Sequence, residues 1–414
     1  MHPRPLHPSA ALRTIAATLS AAAFSCSGGS PSAPGGTDPG AQPGSDAGSP
    51  GDAGTSPSPV TLDGLTNGAV VAGPLSLAAS VPAGTARVDF QVDGAVVATA
   101  GSAPFAATWD SFSVANGTHA LAARALDGAG AATSSATLQV QVDNHIRNVF
   151  VIVFENTDWS SVKGNAAAPY INGTLLAQGA HAEKYMNVPG LHPSLPNYLW
   201  LEAGSNLGVS DDGEPSVHRL STSQHLVSLL ASAGVSWKSY QEDISGTDCP
   251  LTYVSQYAPK HNPMVYFSDV NGGLDARSSA CIAHVRPYPE LSRDLETDAV
   301  PAYSFLTPNL CNDMHDCGIG AGDAWLSREV PKIFASPAYK RGGALFVTFD
   351  ESAGSDVPIG FIALSPLAKP GYSNQIYYTH SSTLRTVQEI FGVTPMLGDA
   401  ANATDLRDLF RSFP

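Results

Sequence analysis

Val149-Phe150-Val151-Ile152-Val153-Phe154-Glu155-Asn156 is an unbroken apolar run that leads straight into an acid and an amide. A run of this length without polar alternation is what a strand buried on both faces requires. Ala344-Leu345-Phe346-Val347-Thr348-Phe349 has the same make and leads into Asp350-Glu351; Gly360 to Leu364 supplies a third run. Helix-like stretches lie among them at Tyr170 to Gln178, His225 to Ala233 and Ser382 to Phe391. Strands alternating with helices predict a doubly wound, mostly parallel α/β sheet, in a domain spanning residues 146–414.

Ligand sites in such sheets lie beyond the carboxyl ends of the strands. Either acidic pair alone reads as an ordinary helix cap. Two strands that end this way bring like charges together, and a divalent metal is the natural compensation. Glu155, Asn156, Asp350 and Glu351 are therefore the candidate ligands. Oxygen donors favour Mg²⁺, Ca²⁺ or Mn²⁺, and histidine involvement would admit Zn²⁺.

Upstream the composition changes. Residues 60–143 hold short alternating runs, such as Val88 to Val92 before Asp93-Gly94, a hairpin signal. They predict an antiparallel β-sandwich, and the stretch resembles the bacterial immunoglobulin-like modules of exported enzymes. No His, Cys or carboxylate cluster falls there, so a spacer or surface-binding role is expected. Residues 27–59 are nearly all Gly, Ser, Pro, Ala, Asp and Thr, which reads as a disordered linker. Residues 1–26 read as an export signal: Arg4 and Arg13 precede an apolar run, Thr14 to Phe24, too short to span a bilayer. Ala23-Phe24-Ser25-Cys26 resembles a lipobox with Ala where Leu is commoner. Cys26 is either acylated, attaching the chain to a membrane, or discarded with an ordinary signal. The protein is expected outside the cytoplasm, secreted or held at the cell envelope.

A formal net charge of −15 argues against nucleic acid as a partner. It also requires an anionic substrate to be captured by local charge or a bound cation. Without Cys26 four cysteines remain. Cys249–Cys281 and Cys311–Cys317 are the expected disulfides, the second closing a short loop; a four-thiolate zinc site would want a Cys-x-x-Cys pair, and none occurs.

Three further segments carry chemistry. In His192-Pro193-Ser194-Leu195-Pro196-Asn197-Tyr198 the serine precedes a helical stretch, so the free N–H groups of a helix start would favour a phosphate beside it. Such a serine attacks phosphorus if a metal lowers its hydroxyl pKa, or it is a plain cap. Lys260-His261-Asn262-Pro263 and Asn312-Asp313-Met314-His315-Asp316 place cationic groups in loops, where they would neutralise phosphate oxygens or protonate a leaving alkoxide. His380 precedes the last helix.

Taken in order, Phe-Glu-Asn, His-Pro-Ser-x-Pro-Asn-Tyr, Lys-His-Asn-Pro, Asn-Asp-Met-His-Asp and Thr-Phe-Asp-Glu resemble the bacterial phosphoesterase family of secreted acid phosphatases and phospholipases C. That family belongs to the alkaline phosphatase-like superfamily. The resemblance implies a metal held by Glu155, Asn156, Asp350, Glu351 and the hydroxyl of Ser194, which attacks phosphorus and becomes a phosphoserine. It implies that Lys260, His261 and His315 surround the phosphate. His192, Asn197, Asn312 and His380 join them as substrate-binding candidates, with Asn197 orienting a phosphate oxygen. The expected substrate is a phosphate monoester, with phosphatidylinositol 3-phosphate or another phospholipid among the candidates. Phospholipase C-type diester cleavage is the alternative within the same mechanism, and a non-catalytic surface adhesion protein the alternative of another class. Tyr198 stands where a sulfatase signal wants Arg, and no Gly-x-Ser-x-Gly supports a serine esterase. If His261 and His315 must be protonated, activity is expected to favour acidic pH.

Overall fold

The computed structural model describes residues 59–414; the export segment, Cys26 and all but the last residue of the linker lie outside them. The first eight strands form a β-sandwich: β1 (Thr61–Leu62), β2 (Ala69–Val71), β3 (Pro74–Ser80), β4 (Arg87–Val92), β5 (Ala95–Ala100), β6 (Ala106–Asp110), β7 (Gly117–Leu126) and β8 (Ala132–Val142). One sheet runs β1-β3-β6 and the other β2-β8-β7-β4-β5. Asp93 (φ 49°) and Gly94 (φ 85°) turn β4 into β5, as the hairpin signal requires. Alternation buries Leu121, Ala123 and Ala125 of β7 in one core with Leu77 and Trp109 of the facing sheet. All pairings are antiparallel except that of β2 with β8, which is parallel.

The second sheet contains β9 (Val149–Phe154), β10 (Ala180–Met186), β11 (Trp237–Gln241), β12 (Val285–Pro287), β13 (Tyr303–Thr307), β14 (Ala344–Phe349), β15 (Phe361–Leu364) and β16 (Ser373–Thr379). Its order is β12-β11-β13-β9-β14-β15-β10-β16. Every residue of β9, β13, β14 and β15 is buried, which explains why β9, β14 and β15 read as continuous apolar runs; the Ser and Thr of β13 break its run, and it goes unread in the sequence. β15 is antiparallel to both β14 and β10, and the other neighbours are parallel. Its reversal follows from the short connection after Phe349, which has no room for the crossover helix a parallel return needs. The longest helix, Ile319–Ala335, goes unread in the sequence because Gly320, Gly322 and Pro331 break its composition.

The sandwich joins the second domain at the amino ends of its strands. Gly73 lies so close to Pro366 that a Cβ there would stand 2.3 Å from the Pro366 carbonyl oxygen. Asn144 accepts from the Gly73 amide and the Ser111 hydroxyl, both at 2.9 Å. Arg411 bonds Asp110 at 2.7 Å and lies over the Phe112 ring.

Cys249 pairs with Cys281 and Cys311 with Cys317. The first closes a separation of 32 residues. Replacing both of its cysteines by serine is expected to lower stability by about 2–4 kcal/mol, read from the urea midpoint.

A second prediction concerns His225, buried between Glu202 Oε1 and the Asp269 carboxylate at 3.0 Å each and stacked on Phe267. Burial alone would lower its pKa, but hydrogen bonds to Asp269 and Glu202 raise it from 6.5 to about 9. Because the folded value exceeds the unfolded one, this stabilisation is complete below pH 6.5 and is lost as pH rises through 9. About 3 kcal/mol of unfolding free energy should disappear over that window. Urea titrations should show the slope in the native chain and a much flatter one in His225→Gln.

Candidate active site

Phe154 and Phe349 are register partners on neighbouring parallel strands, so Glu155 and Asp350 leave the sheet side by side at its carboxyl end. The chain turns sharply there, with Asn156 at φ 35°, a left-handed conformation that asparagine tolerates better than most residues. The backbone amides of Asn156 and Glu351 donate to Asp350 Oδ1 at 3.0 and 2.6 Å. Ser194 opens the helix Ser194–Ala203, which Gly204 ends in the left-handed conformation. No larger residue fits at Gly204, where a Cβ would stand 2.3 Å from the Leu397 carbonyl oxygen.

The serine is 1% exposed, and its hydroxyl donates to Glu155 Oε2 at 2.8 Å. Glu155 Oε1 accepts from the Tyr198 hydroxyl at 2.7 Å, one helical turn further on. His261 stacks on the Tyr198 ring. Its Nε2 is 3.2 Å from Glu155 Oε1 and its Nδ1 is 3.3 Å from Asp313 Oδ2. The Nε2–H does not point well enough at Glu155 for a hydrogen bond, so that attraction is Coulombic and leaves a buried donor without a partner. Lys260 Nζ stands 3.4 Å from Ser194 Oγ and 3.0 Å from Asp212 Oδ2. The other oxygen of Asp212 accepts the Leu195 amide at 2.9 Å.

Charge is distributed unevenly across this cluster. Burial alone would raise the Glu155 carboxyl, but His261, then Lys260 and Tyr198, more than offset it and hold its pKa at about 2. Burial would lower His261, yet Glu155 and Asp313 raise it to about 9. Glu155 and Asp313 thus favour the protonated form of His261 at neutral pH. Asp350 is pushed well above the usual carboxylate range by burial, then by Glu155 and Glu351. Glu351 rises to about 7 through burial and Glu155, against the pull of His192.

Among the described residues no group of three or more His, Cys, Asp and Glu side chains stands ready around one point. Oxygen atoms of Glu155, Asp350 and Ser194 nevertheless lie beside the Asn156 amide or one another. With its oxygen turned inward, the Asn156 amide faces Glu155 Oε2 and Asp350 Oδ1, each at 3.3 Å; hydrogen bonding alone favours the reverse orientation, in which its NH₂ donates to both. With Ser194 Oγ on the same Glu155 oxygen, the first orientation converges four oxygen donors from four residues. Carboxylate and amide oxygens are the chemistry of a hard divalent cation, and the residues fit one.

The remaining candidates separate into three positions. His192 Nδ1 lies 2.7 Å from Glu351 Oε2, and Asn197 donates to the same oxygen at 3.0 Å. Asn197 thus supports Glu351 instead of presenting its NH₂ to a phosphate, while its own oxygen is buried without a partner. His315 reaches the surface, 6.5 Å from the His261 ring, with Nδ1 2.7 Å from Asp316 Oδ1. Two candidates face elsewhere. Asn312 donates to Glu242 Oε2 at 2.8 Å, tying its loop to Glu242. His380 is fully buried, 2.5 Å from the Asp350 carbonyl oxygen and 3.1 Å from the Tyr185 hydroxyl. Burial pushes its pKa to about 4, so it is a neutral support beneath Asp350. Sequence reasoning gave no role to Tyr198, Asp313 or Asp212. The first two lie within motifs that were quoted; Asp212 carries no local signal.

A fold with acidic strand tips around a buried serine, a lysine and a protonated histidine defines a hydrolase of phosphoric esters. The chain belongs to the Phosphoesterase family, whose profile matches residues 174–394. Residues 59–123 match a bacterial Ig domain. Phosphatidylinositol-3-phosphatase from Mycobacterium tuberculosis is 34% identical over 64% of this chain and 82% of its own length. A probable acid phosphatase from Kluyveromyces lactis is 28% identical over 69% of this chain and 70% of its own. A solved protein of the alkaline phosphatase superfamily from Vibrio parahaemolyticus aligns over 62% of this chain and 69% of its own, at 10% identity and a TM-score of 0.44.

Proposed function

We propose that this enzyme hydrolyses phosphate monoesters through a phosphoserine at Ser194, with a divalent cation held by Glu155, Asn156, Asp350, Glu351 and the serine hydroxyl. The observation that carries this reading is the bond from Ser194 Oγ to Glu155 Oε2, at the tip of the strand beside Asp350. When bound, the cation would lower the serine pKa and neutralise phosphoryl charge. No histidine joins the oxygen set, which favours Mg²⁺, Ca²⁺ or Mn²⁺ over Zn²⁺.

Glu155, held ionised, orients the serine hydroxyl so that its free lone pair faces incoming phosphorus. Lys260 beside Ser194 and the unpartnered Nε2–H of His261 supply positive charge where the transferring phosphoryl oxygens gather. Of the two loop histidines His261 and His315, only His315 meets solvent, so it takes the leaving-group side in this reading. Water then releases phosphate from the serine. A lipid monoester such as a phosphoinositide, the substrate in the name of the mycobacterial relative, is the substrate class proposed. Two disulfides suit an oxidising compartment, so we place the enzyme outside the cytoplasm.

The test is a panel of p-nitrophenyl phosphate, bis-p-nitrophenyl phosphate, a phosphoinositide and phosphatidylcholine, each with and without chelator. Monoester turnover that chelation abolishes supports the reading. Turnover confined to diesters, or indifferent to chelation, overturns it.

A further inference from the structure

Lys260 sits on a one-turn segment, Pro259–His261, that fixes its backbone but leaves a long side chain to be aimed by its contacts. Two carboxylates draw on the ammonium, those of Glu155 and Asp212. Asp212 makes the only direct bond of the two, at 3.0 Å, and with its other oxygen grips the Leu195 amide, the residue after the nucleophile. One carboxylate therefore ties the Lys260 head to the start of the nucleophile helix, with Ser194 Oγ 3.4 Å from that head. Asp212 comes from a separate loop and belongs to none of the motifs that mark the rest of the site.

We propose that Asp212 is a positioning residue: it holds the Lys260 ammonium beside Ser194 Oγ and away from Glu155, so that the charge meets the phosphoryl group and leaves the Ser194–Glu155 bond undisturbed. The inference rests on Ser194 being the nucleophile. Without Asp212, the ammonium falls back on Glu155, its remaining carboxylate, and competes with the serine hydroxyl for that group. Asp212 touches no reacting atom and acts through Lys260.

The experiment measures kcat and KM for p-nitrophenyl phosphate, and inhibition by inorganic phosphate, in full-length Asp212→Asn, Asp212→Glu, Lys260→Ala and the Asp212→Asn/Lys260→Ala pair. Asparagine keeps an acceptor for the Leu195 amide, so Asp212→Asn should melt with the native chain. Its kcat/KM should fall about 10- to 100-fold, as expected for a lost charge-assisted contact, and phosphate should inhibit more weakly. Asp212→Glu should recover part of the rate. The decisive reading is the pair: once Lys260 is alanine, Asp212→Asn should cost less than about 2-fold more. Multiplicative losses would show that Asp212 does not act through Lys260 and would overturn the proposal. Tighter inhibition by phosphate in Asp212→Asn would overturn it too, making Asp212 a competitor for the anion site. A Ser194→Ala control run alongside separates this inference from the reading beneath it: full activity there refutes the nucleophile, whatever Asp212 does.

Discussion

Ser194→Ala is expected to lower kcat for p-nitrophenyl phosphate by at least about 10³-fold, with thermal stability nearly unchanged. The serine is buried at the first position of its helix, and its hydroxyl makes one strong bond, to Glu155 Oε2. Removing the oxygen deprives Glu155 of that donor but leaves Tyr198 on the other oxygen and His261 nearby. The fold therefore loses one hydrogen bond, about 1–2 kcal/mol, while the chemistry loses its attacking atom. Acid quenching during turnover should trap phosphate on the native chain at Ser194 and none on the variant. A variant that keeps more than a tenth of the native rate would remove the serine from the reaction.

Asp350→Asn carries the second large effect, and its sign differs between activity and stability. Asp350 is fully buried beside Glu155 and Glu351, and burial followed by those two neighbours raises its pKa far above normal. Asparagine is close in shape to a protonated aspartic acid and still accepts the amides of Asn156 and Glu351 through one oxygen. In chelator the variant should melt at or above the native temperature, because a repulsive acid has gone. Added Mg²⁺, Ca²⁺ or Mn²⁺ should raise the native melting temperature and leave that of the variant unmoved. Turnover should fall by about 10³-fold or more. Equal stabilisation of both chains by every cation would remove Asp350 from the ligand set.

The sheet was legible because its central strands are buried on both faces: Val149–Phe154 and Ala344–Phe349 have one reading, and their acidic tips mark the end at which a site forms. β16 at the sheet edge and β10 beside it escaped notice, since both mix polar with apolar residues and offer no apolar run. The reversal of β15 is a matter of connection length, which a list of strands does not reveal. Within the site, residue type was legible but orientation was not. Asn197 and Asn312 carry the same amide, yet one supports Glu351 and the other Glu242. His380 was read as a binding group because it precedes a helix, whereas Tyr185 and the Asp350 carbonyl enclose it. Asp212 was invisible because its importance comes from where Lys260 points, a fact of three dimensions.

The junction at Gly73, Asn144 and Arg411 gives the enzyme a front and a back. The sandwich meets the strands where they begin, and the serine lies where they finish, a full strand length of about 20 Å away. Anything the sandwich grips would thus be held behind the catalytic mouth, leaving it open to substrate arriving from the opposite direction. Trimming the chain to the second domain should spare turnover while stripping cover from Pro366 and Arg411, so that such a fragment would suffer in solubility before it suffered in rate.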